Sequence, residues 1–266
     1  MKRLMAIAVI PLILLIFGCD EEPEEVLQAP TNLQIEVTGG DNLSIKLTWN
    51  ASPTTNIDGY VVRLNDVTLD RVTGTQFTHN NPTSLGVYRV RAYRGDDESD
   101  AIQVSTELIV RENQGPVWWF DAPSDTGYSA YGWNADGIGN TYSMVGANKD
   151  SIDFYMDSVG VGKGTDKIIS PDSYPGWGDA HETRFNTTGN TGVDGFTNTK
   201  IAPEFGVGAY SNYAEITETG KVYILYLESG HYVKLLVTGR KVSGNHNFTF
   251  KYGFQPIAGF RRLGND

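Results

Sequence analysis

From Pro30 to about Ser105 apolar and polar residues alternate with a period of two. Leu33, Ile35 and Val37 share one face; Leu43, Ile45, Leu47 and Trp49 share another. Val61 and Val62 follow Gly59-Tyr60, Tyr88, Val90 and Ala92 alternate with Arg89, Arg91 and Tyr93, and Ile102 and Val104 close the set. Turn-forming clusters stand between these runs at Gly39 to Asn42, Asn50 to Asn56, Asn80 to Pro82 and Gly95 to Asp97. Successive side chains of a strand point to opposite faces, so this pattern predicts short half-buried strands and a β-sandwich.

A second region, from Pro116 to the C-terminus, is also strand-like. Ile152, Phe154 and Met156 alternate with Asp153, Tyr155 and Asp157. Lys221 to Leu227 is apolar on both faces, which predicts a central strand. Ser229-Gly230 marks a hairpin, Tyr232 to Val237 follows, and Phe248, Phe250, Tyr252 and Phe254 place four aromatics on one face. Three adjacent strands predict an antiparallel meander. The chain shows no convincing amphipathic helix. The expected fold is therefore all-β: one sandwich over 30–110, a linker at 111–115, and a second antiparallel β-sandwich or jelly-roll-like domain over 116–266.

The first region resembles a fibronectin type III domain. Pro30 with Leu33 opens it as that family opens, and Trp49 in Leu47-Thr48-Trp49-Asn50 stands where the family keeps its core tryptophan. Gly59-Tyr60-Val61-Val62 is similar to the third strand. Leu85 with Tyr88 is similar to the tyrosine corner and sixth strand. The resemblance implies a seven-stranded sandwich without a catalytic site, used as a spacer or for adhesion. It also gives Arg94-Gly95-Asp96 two readings: the tripeptide that cell receptors grip in adhesive members, or ordinary turn chemistry.

The N-terminus reads as an address. Met1-Lys2-Arg3 is followed by an apolar run from Leu4 to Phe17, then Gly18-Cys19. A basic tip, a short apolar core and a small residue before the cleavage point make a secretory signal. The run is shorter than the roughly 20 residues a membrane span needs. A cysteine in this place resembles the lipobox of bacterial lipoproteins, which implies that 1–18 is removed and that Cys19 carries the lipid. The expected partner is then the membrane, reached through that anchor. The expected location is the cell envelope, lipid-anchored, at the outer membrane and surface-exposed. Cys19 is the only cysteine, so the folded part has no disulfide to rely on. Residues 19–29 read as an acidic tether, Asp20 to Glu25 acting as a solvated spacer or as a sorting signal.

Removing the signal leaves about 248 of the 266 residues, room for one large or two ordinary domains. The full-chain charge of −11 becomes about −13 without Lys2 and Arg3. An acidic balance of this size argues against nucleic acid as a partner and against electrostatic attraction to anionic lipid.

Candidate functional residues concentrate between Val159 and Asn212, where glycine recurs among Asp, Asn, Thr and Ser. Long loops in compact domains are often functional. Tyr174, Trp177 and His181, with Trp133 upstream, are the candidate ligand-binding residues; the alternative is that such aromatics fasten the loops to the sheet. Asn134, Asp136 and Asn140 form a candidate calcium turn, and a plain Asn/Asp/Gly turn explains the same letters. A full calcium-loop motif is missing, because Ile138 and Val145 stand where oxygen ligands would be needed.

Catalysis is not expected. His181-Glu182-Thr183-Arg184-Phe185 lacks the second histidine of a zinc motif, and no nucleophile elbow is present. Gly230 to Leu235 with Phe248 to Pro256 resembles the C-terminal strands of the HmuY family of haem-binding surface lipoproteins. That family ligates haem with paired His or Met, and none of these residues can be matched to the ligands. The expected function is non-enzymatic binding or display at the cell surface, with carbohydrate as the ligand, because Trp and Tyr rings stack on sugar faces. The rivals are an assembly subunit that binds protein, haem or metal capture, and a glycan-degrading enzyme.

Overall fold

The computed structural model describes residues 26–120, 127–158 and 165–266. Cys19 and the acidic run after it lie outside the described residues.

The first unit contains β1 (Thr31–Thr38), β2 (Ser44–Asn50), β3 (Gly59–Leu64), β4 (Val67–Val72), β5 (Gln76–His79), β6 (Val87–Arg94), β7 (Asp97–Glu98) and β8 (Ile102–Ser105). One sheet runs β1-β2-β5; the other runs β4-β3-β6-β7, with β8 also paired to β6. All pairings are antiparallel. The unit is a fibronectin type III-like sandwich whose last strand is broken into β7 and β8. The alternating residues fill its core: Ile45, Leu47, Trp49, Tyr60, Val62, Leu85, Tyr88, Val90 and Ala92 are buried together. Trp49 meets Tyr60 edge-on, and the Tyr88 hydroxyl shares a 2.8 Å hydrogen bond with His79 Nδ1. Arg94-Gly95-Asp96 forms the tight turn from β6 to β7: Arg94 pairs with Asp97, Gly95 is left-handed, and its N–H donates to Asp58 Oδ2 at 2.7 Å.

The second unit is built from β9 (Ile109–Trp118), β10 (Ala130–Trp133), β11 (Gly139–Tyr142), β12 (Phe154–Ser158), β13 (Asp166–Ile169), β14 (Arg184–Thr191), β15 (Tyr213–Glu215), β16 (Lys221–Tyr226), β17 (Tyr232–Lys241) and β18 (Asn247–Phe254). They form two five-stranded sheets, β11-β10-β12-β13-β15 and β14-β16-β17-β18-β9. The expected meander is β16-β17-β18, with β16 internal to its sheet. Val117, Tyr131, Phe154, Met156, Tyr223, Leu225, Val233, Leu235, Phe248, Phe250, Tyr252 and Phe254 are buried between the sheets. A buried ionic link ties sheet to sheet. Asp166 on β13 accepts from Arg240 at 2.9 Å and from His246 at 2.7 Å.

Two expectations are corrected. The linker expected at 111–115 lies inside β9, which pairs with β18 through two register shifts; Asn113 and Gly115 take left-handed backbone there. Bulges of this kind let a polar, irregular stretch join a sheet. One short α-helix, α1 (Gly192–Asn198), appears among the described residues, its Phe196 packing on Val222 and Leu236. Nor does the second region end as a separate body. Residues 255–266 return to the first unit, where Phe260 is buried in the core around Trp49. Hydrogen bonds fix that return: Arg261 donates to the Asp41 and Ala202 carbonyls, Leu85 N–H to Asn265 Oδ1, and Asp266 N–H to the Thr83 carbonyl.

Candidate functional site

The segment from Ser170 to Thr183 is a compact loop on the outer face of β10, β12 and β13. Its ends are tied by the Thr183 N–H donating to Ser170 Oγ at 2.8 Å. Turn hydrogen bonds run along it from Tyr174 to Pro171, Trp177 to Tyr174 and Ala180 to Trp177. Closed ends and packing by its own side chains are the marks of an Ω-loop. Arg184 clamps its base, donating to Asp172 at 3.2 Å and to the Thr183 carbonyl at 3.1 Å. Burial works against the Asp172 carboxylate, but hydrogen bonds from Ser170 and Arg184 and the arginine charge outweigh it and hold its pKa below the usual range.

Tyr174 and Trp177 are half-buried and pack together on Ala130, Ile152, Tyr155 and Ile169. Their ring centroids are 5.1 Å apart in an edge-on arrangement; Tyr174 also meets Tyr155 edge-on at 5.8 Å and Phe120 in a tilted contact at 5.5 Å. The two readings of these aromatics therefore meet: one side of each ring fastens the loop and part of each remains open to solvent. Beside them His181 Nδ1 donates to Asp153 Oδ1 at 3.2 Å, while Asp153 Oδ2 accepts the Trp133 backbone N–H at 2.8 Å. Asp153, which by alternation should be solvated, is buried under the loop. Its hydrogen bond to His181 raises the histidine pKa; burial opposes this, and the charges of Asp153, Glu228 and Asp150 add to the rise. At the outer end of the loop Lys149 Nζ pairs with Asp179 Oδ2 at 2.6 Å.

The structure does not bring the Trp133 side chain to this face. Strand β10 alternates, so Tyr131 and Trp133 both point into the sandwich, where Trp133 meets Tyr131, Phe154 and Tyr252. Its buried indole N–H finds no partner among the described residues. Gly132 lets the chain pass closely here, since a Cβ would collide with the Ser151 carbonyl oxygen.

Asn134, Asp136 and Asn140 do not gather their oxygens either. Asn134 Oδ1 accepts from the Asp136 and Ile138 N–H groups at 3.1 and 2.9 Å, and Asn140 Oδ1 accepts from Thr141 N–H at 2.9 Å. These are the local bonds of a turn joining β10 to β11. Among the described residues no group of three or more His, Cys, Asp or Glu is placed to hold a metal ion.

Adjoining the loop is a small cleft of about 200 Å³ that residue patterns did not reveal, lined by Glu182, Arg184, Phe205, Tyr226 and Glu228. Phe205, 41% exposed, lies face-on to Tyr226 with centroids 4.3 Å apart. The Glu182 N–H donates to Glu228 Oε2 at 3.1 Å, and Arg184 pairs with Glu182 at 2.5 Å. Glycine-flanked Phe205 in Pro203-Glu204-Phe205-Gly206 was the one available signal. His181, next to Glu182 and under the charge of Glu228, joins cleft and loop into one polar-aromatic face.

No protein-family model matches the chain, and no curated protein does. Two solved structures are similar over much of its length. A DUF4466 family protein from Parabacteroides merdae shares 7% identity over 88% of this chain and 96% of its own, with a TM-score of 0.41. The chicken interferon gamma receptor alpha chain shares 9% over 78% and 87%, with a TM-score of 0.24. Scores this low carry no argument, and the two-sandwich architecture rests on the strand pairings above.

Proposed function

We propose that this is a lipid-anchored, non-catalytic binding protein of the cell envelope, surface-exposed, which takes carbohydrate on the face formed by Tyr174, Trp177, His181 and the adjoining Phe205 cleft. The fibronectin-like unit would lift that face from the membrane. The observation that carries the reading is the partly open Tyr174–Trp177 ring pair, held rigidly by the loop beside the fixed His181–Asp153 pair. Sugars offer an apolar C–H face and a rim of hydroxyls, so partly exposed rings with fixed polar groups beside them match both. Binding groups on a loop held by a rigid sheet are a common arrangement.

The test is retardation of the full chain in gels that contain neutral polysaccharides, compared with Trp177→Ala and Phe205→Ala. Retardation by at least one polysaccharide, weakened about tenfold by Trp177→Ala with the fold retained by circular dichroism, is expected; loss of one aromatic contact of roughly 1–1.5 kcal/mol gives that factor. Absence of retardation across the panel, or retardation indifferent to both substitutions, would refute the proposal.

A further inference from the structure

A second site lies on the opposite sheet of the same unit. The outer faces of β17, β18 and β9 form an open cleft of about 460 Å³ at the junction with the first unit, walled by Leu108, Val110, Phe196 and Leu263, with Lys234 and Lys251 on its floor. Register explains the cleft. Lys234 on β17 pairs with Gly253 on β18, and Gly253 pairs with Val110 on β9. Gly253 contributes no side chain to this row, and a Cβ there would stand 3.0 Å from Leu108 Cδ1 and 3.4 Å from the Lys234 chain. The backbone of Gly253 is not left-handed; what the position keeps is space.

Lys234 is unusual for a strand residue in being only 4% exposed. Its Nζ donates to the Phe196 carbonyl at 2.9 Å and the Thr199 carbonyl at 3.3 Å, capping the end of α1. An ammonium has three donors, so capping accounts for two of them. Among the described residues the third meets no acceptor, and no carboxylate lies within ion-pair distance of this buried cation. Lys251 approaches the same ring: the two ammonium groups lie 4.5 and 4.8 Å from the Phe196 centroid. Lys251 is paired with Glu112 at 2.7 Å, whereas Lys234 has only neutral oxygens. Buried charges are normally paired, and Lys234 has space above it instead of a partner.

We propose that this cleft binds a small monocarboxylate with a short apolar body, the carboxylate meeting Lys234 beside Lys251 and the body lying along Leu108, Val110 and Leu263. Local charge limits the ligand to a monoanion: Glu112 offsets Lys251, Lys234 alone of the two has no carboxylate at ion-pair distance among the described residues, and the negative charge of Glu107 at the wall disfavours a second anionic group. The apolar walls select a hydrocarbon or aromatic body over a bare inorganic ion.

The experiment uses the full chain with ¹³C-labelled lysine and three probes that share one body: hexanoate, 1-hexanol and hexylammonium. Expected is a saturable shift of the Lys234 signal with millimolar hexanoate alone. Lys234→Met should weaken hexanoate binding about tenfold, read by calorimetry, as loss of a charge-assisted hydrogen bond does. Val110→Trp, at a half-exposed position that tolerates bulk, should fill the cleft and abolish the Lys234 shift even if the lysine variant misfolds. A shift equal for hexanol and hexanoate, no saturable shift with hexanoate, or hexanoate binding unchanged by Val110→Trp would each overturn the proposal.

Discussion

Phe260→Ala tests whether the last residues complete the first unit. Phe260 is fully buried among Ile45, Leu47, Trp49, Tyr60 and Val90, although it lies far from them in sequence. Its ring removes roughly 150 Å² or more from water, which at about 25 cal/mol/Å² is worth about 4 kcal/mol. Core Phe→Ala substitutions cost about 3–5 kcal/mol once the cavity is included. A domain of this size has only about 5–15 kcal/mol in total, so the loss should be conspicuous. Hydrogen exchange read by mass spectrometry on the full chain localises it. Amides of β2 and β3 should lose protection by on the order of a thousandfold, at about 1.4 kcal/mol per factor of ten. An equal loss in β16 and β17 would show that both units open together. Unchanged protection in β2 and β3 would refute the reasoning, because it would mean that the ring fills no space the first unit needs.

Three further outcomes are expected. Lys234 has its pKa lowered by burial, and secondarily by Lys251, to about 8 from the 10.5 of a free lysine. The charged form is thereby penalised by about 3 kcal/mol. Between pH 8 and 10.5 the unfolded chain holds the extra proton, so stability should rise with pH across that window and lie flat below it; Lys234→Met should abolish the slope, and an identical slope in both proteins would contradict the burial argument. For His181 the shift is upward, led by the hydrogen bond it donates to Asp153. Its stabilisation is complete below the unfolded value of about 6.5 and lost as pH rises through the folded value, so in an NMR titration Asp153→Asn should move the midpoint down, and an unmoved midpoint would rule the pairing out. Cys19→Ser should release the protein from membranes and remove any acyl label; continued membrane partition would exclude the lipid anchor.

Much of the fold was legible because burial in a sandwich imposes period two directly on the sequence. Ile45, Leu47 and Trp49, or Phe248, Phe250, Tyr252 and Phe254, announce their shared face by spacing alone, and the structure buries each set. Strand β9 was not legible. Its Arg111-Glu112-Asn113-Gln114-Gly115-Pro116 core has no apolar rhythm, and two register shifts against β18 absorb the irregularity. The candidate loop announced itself through Tyr174 and Trp177 in a glycine-rich stretch, but Trp133 was misplaced although the alternation of β10 already put it beside Tyr131, facing inward. Phe205 with Tyr226, and Lys234 with Gly253, could not have been read in advance. Each pair meets through packing or cross-strand register between distant segments, and register is fixed by the whole sheet.

The return of the chain to its first unit has a mechanical consequence. Residues 26–30 lie on that unit, with the Gln28 N–H held by Thr54, and Asp266 ends there as well, bonded to Thr83. The second sandwich is thus spliced between two crossings, one through β9 and the other through residues 255–266. A pull on anything held by the second sandwich divides between these two covalent paths. Neither is a slack hinge, because β9 is laddered into a sheet and the returning segment is plugged by Phe260. Tension therefore meets hydrogen bonds and a filled core along both routes.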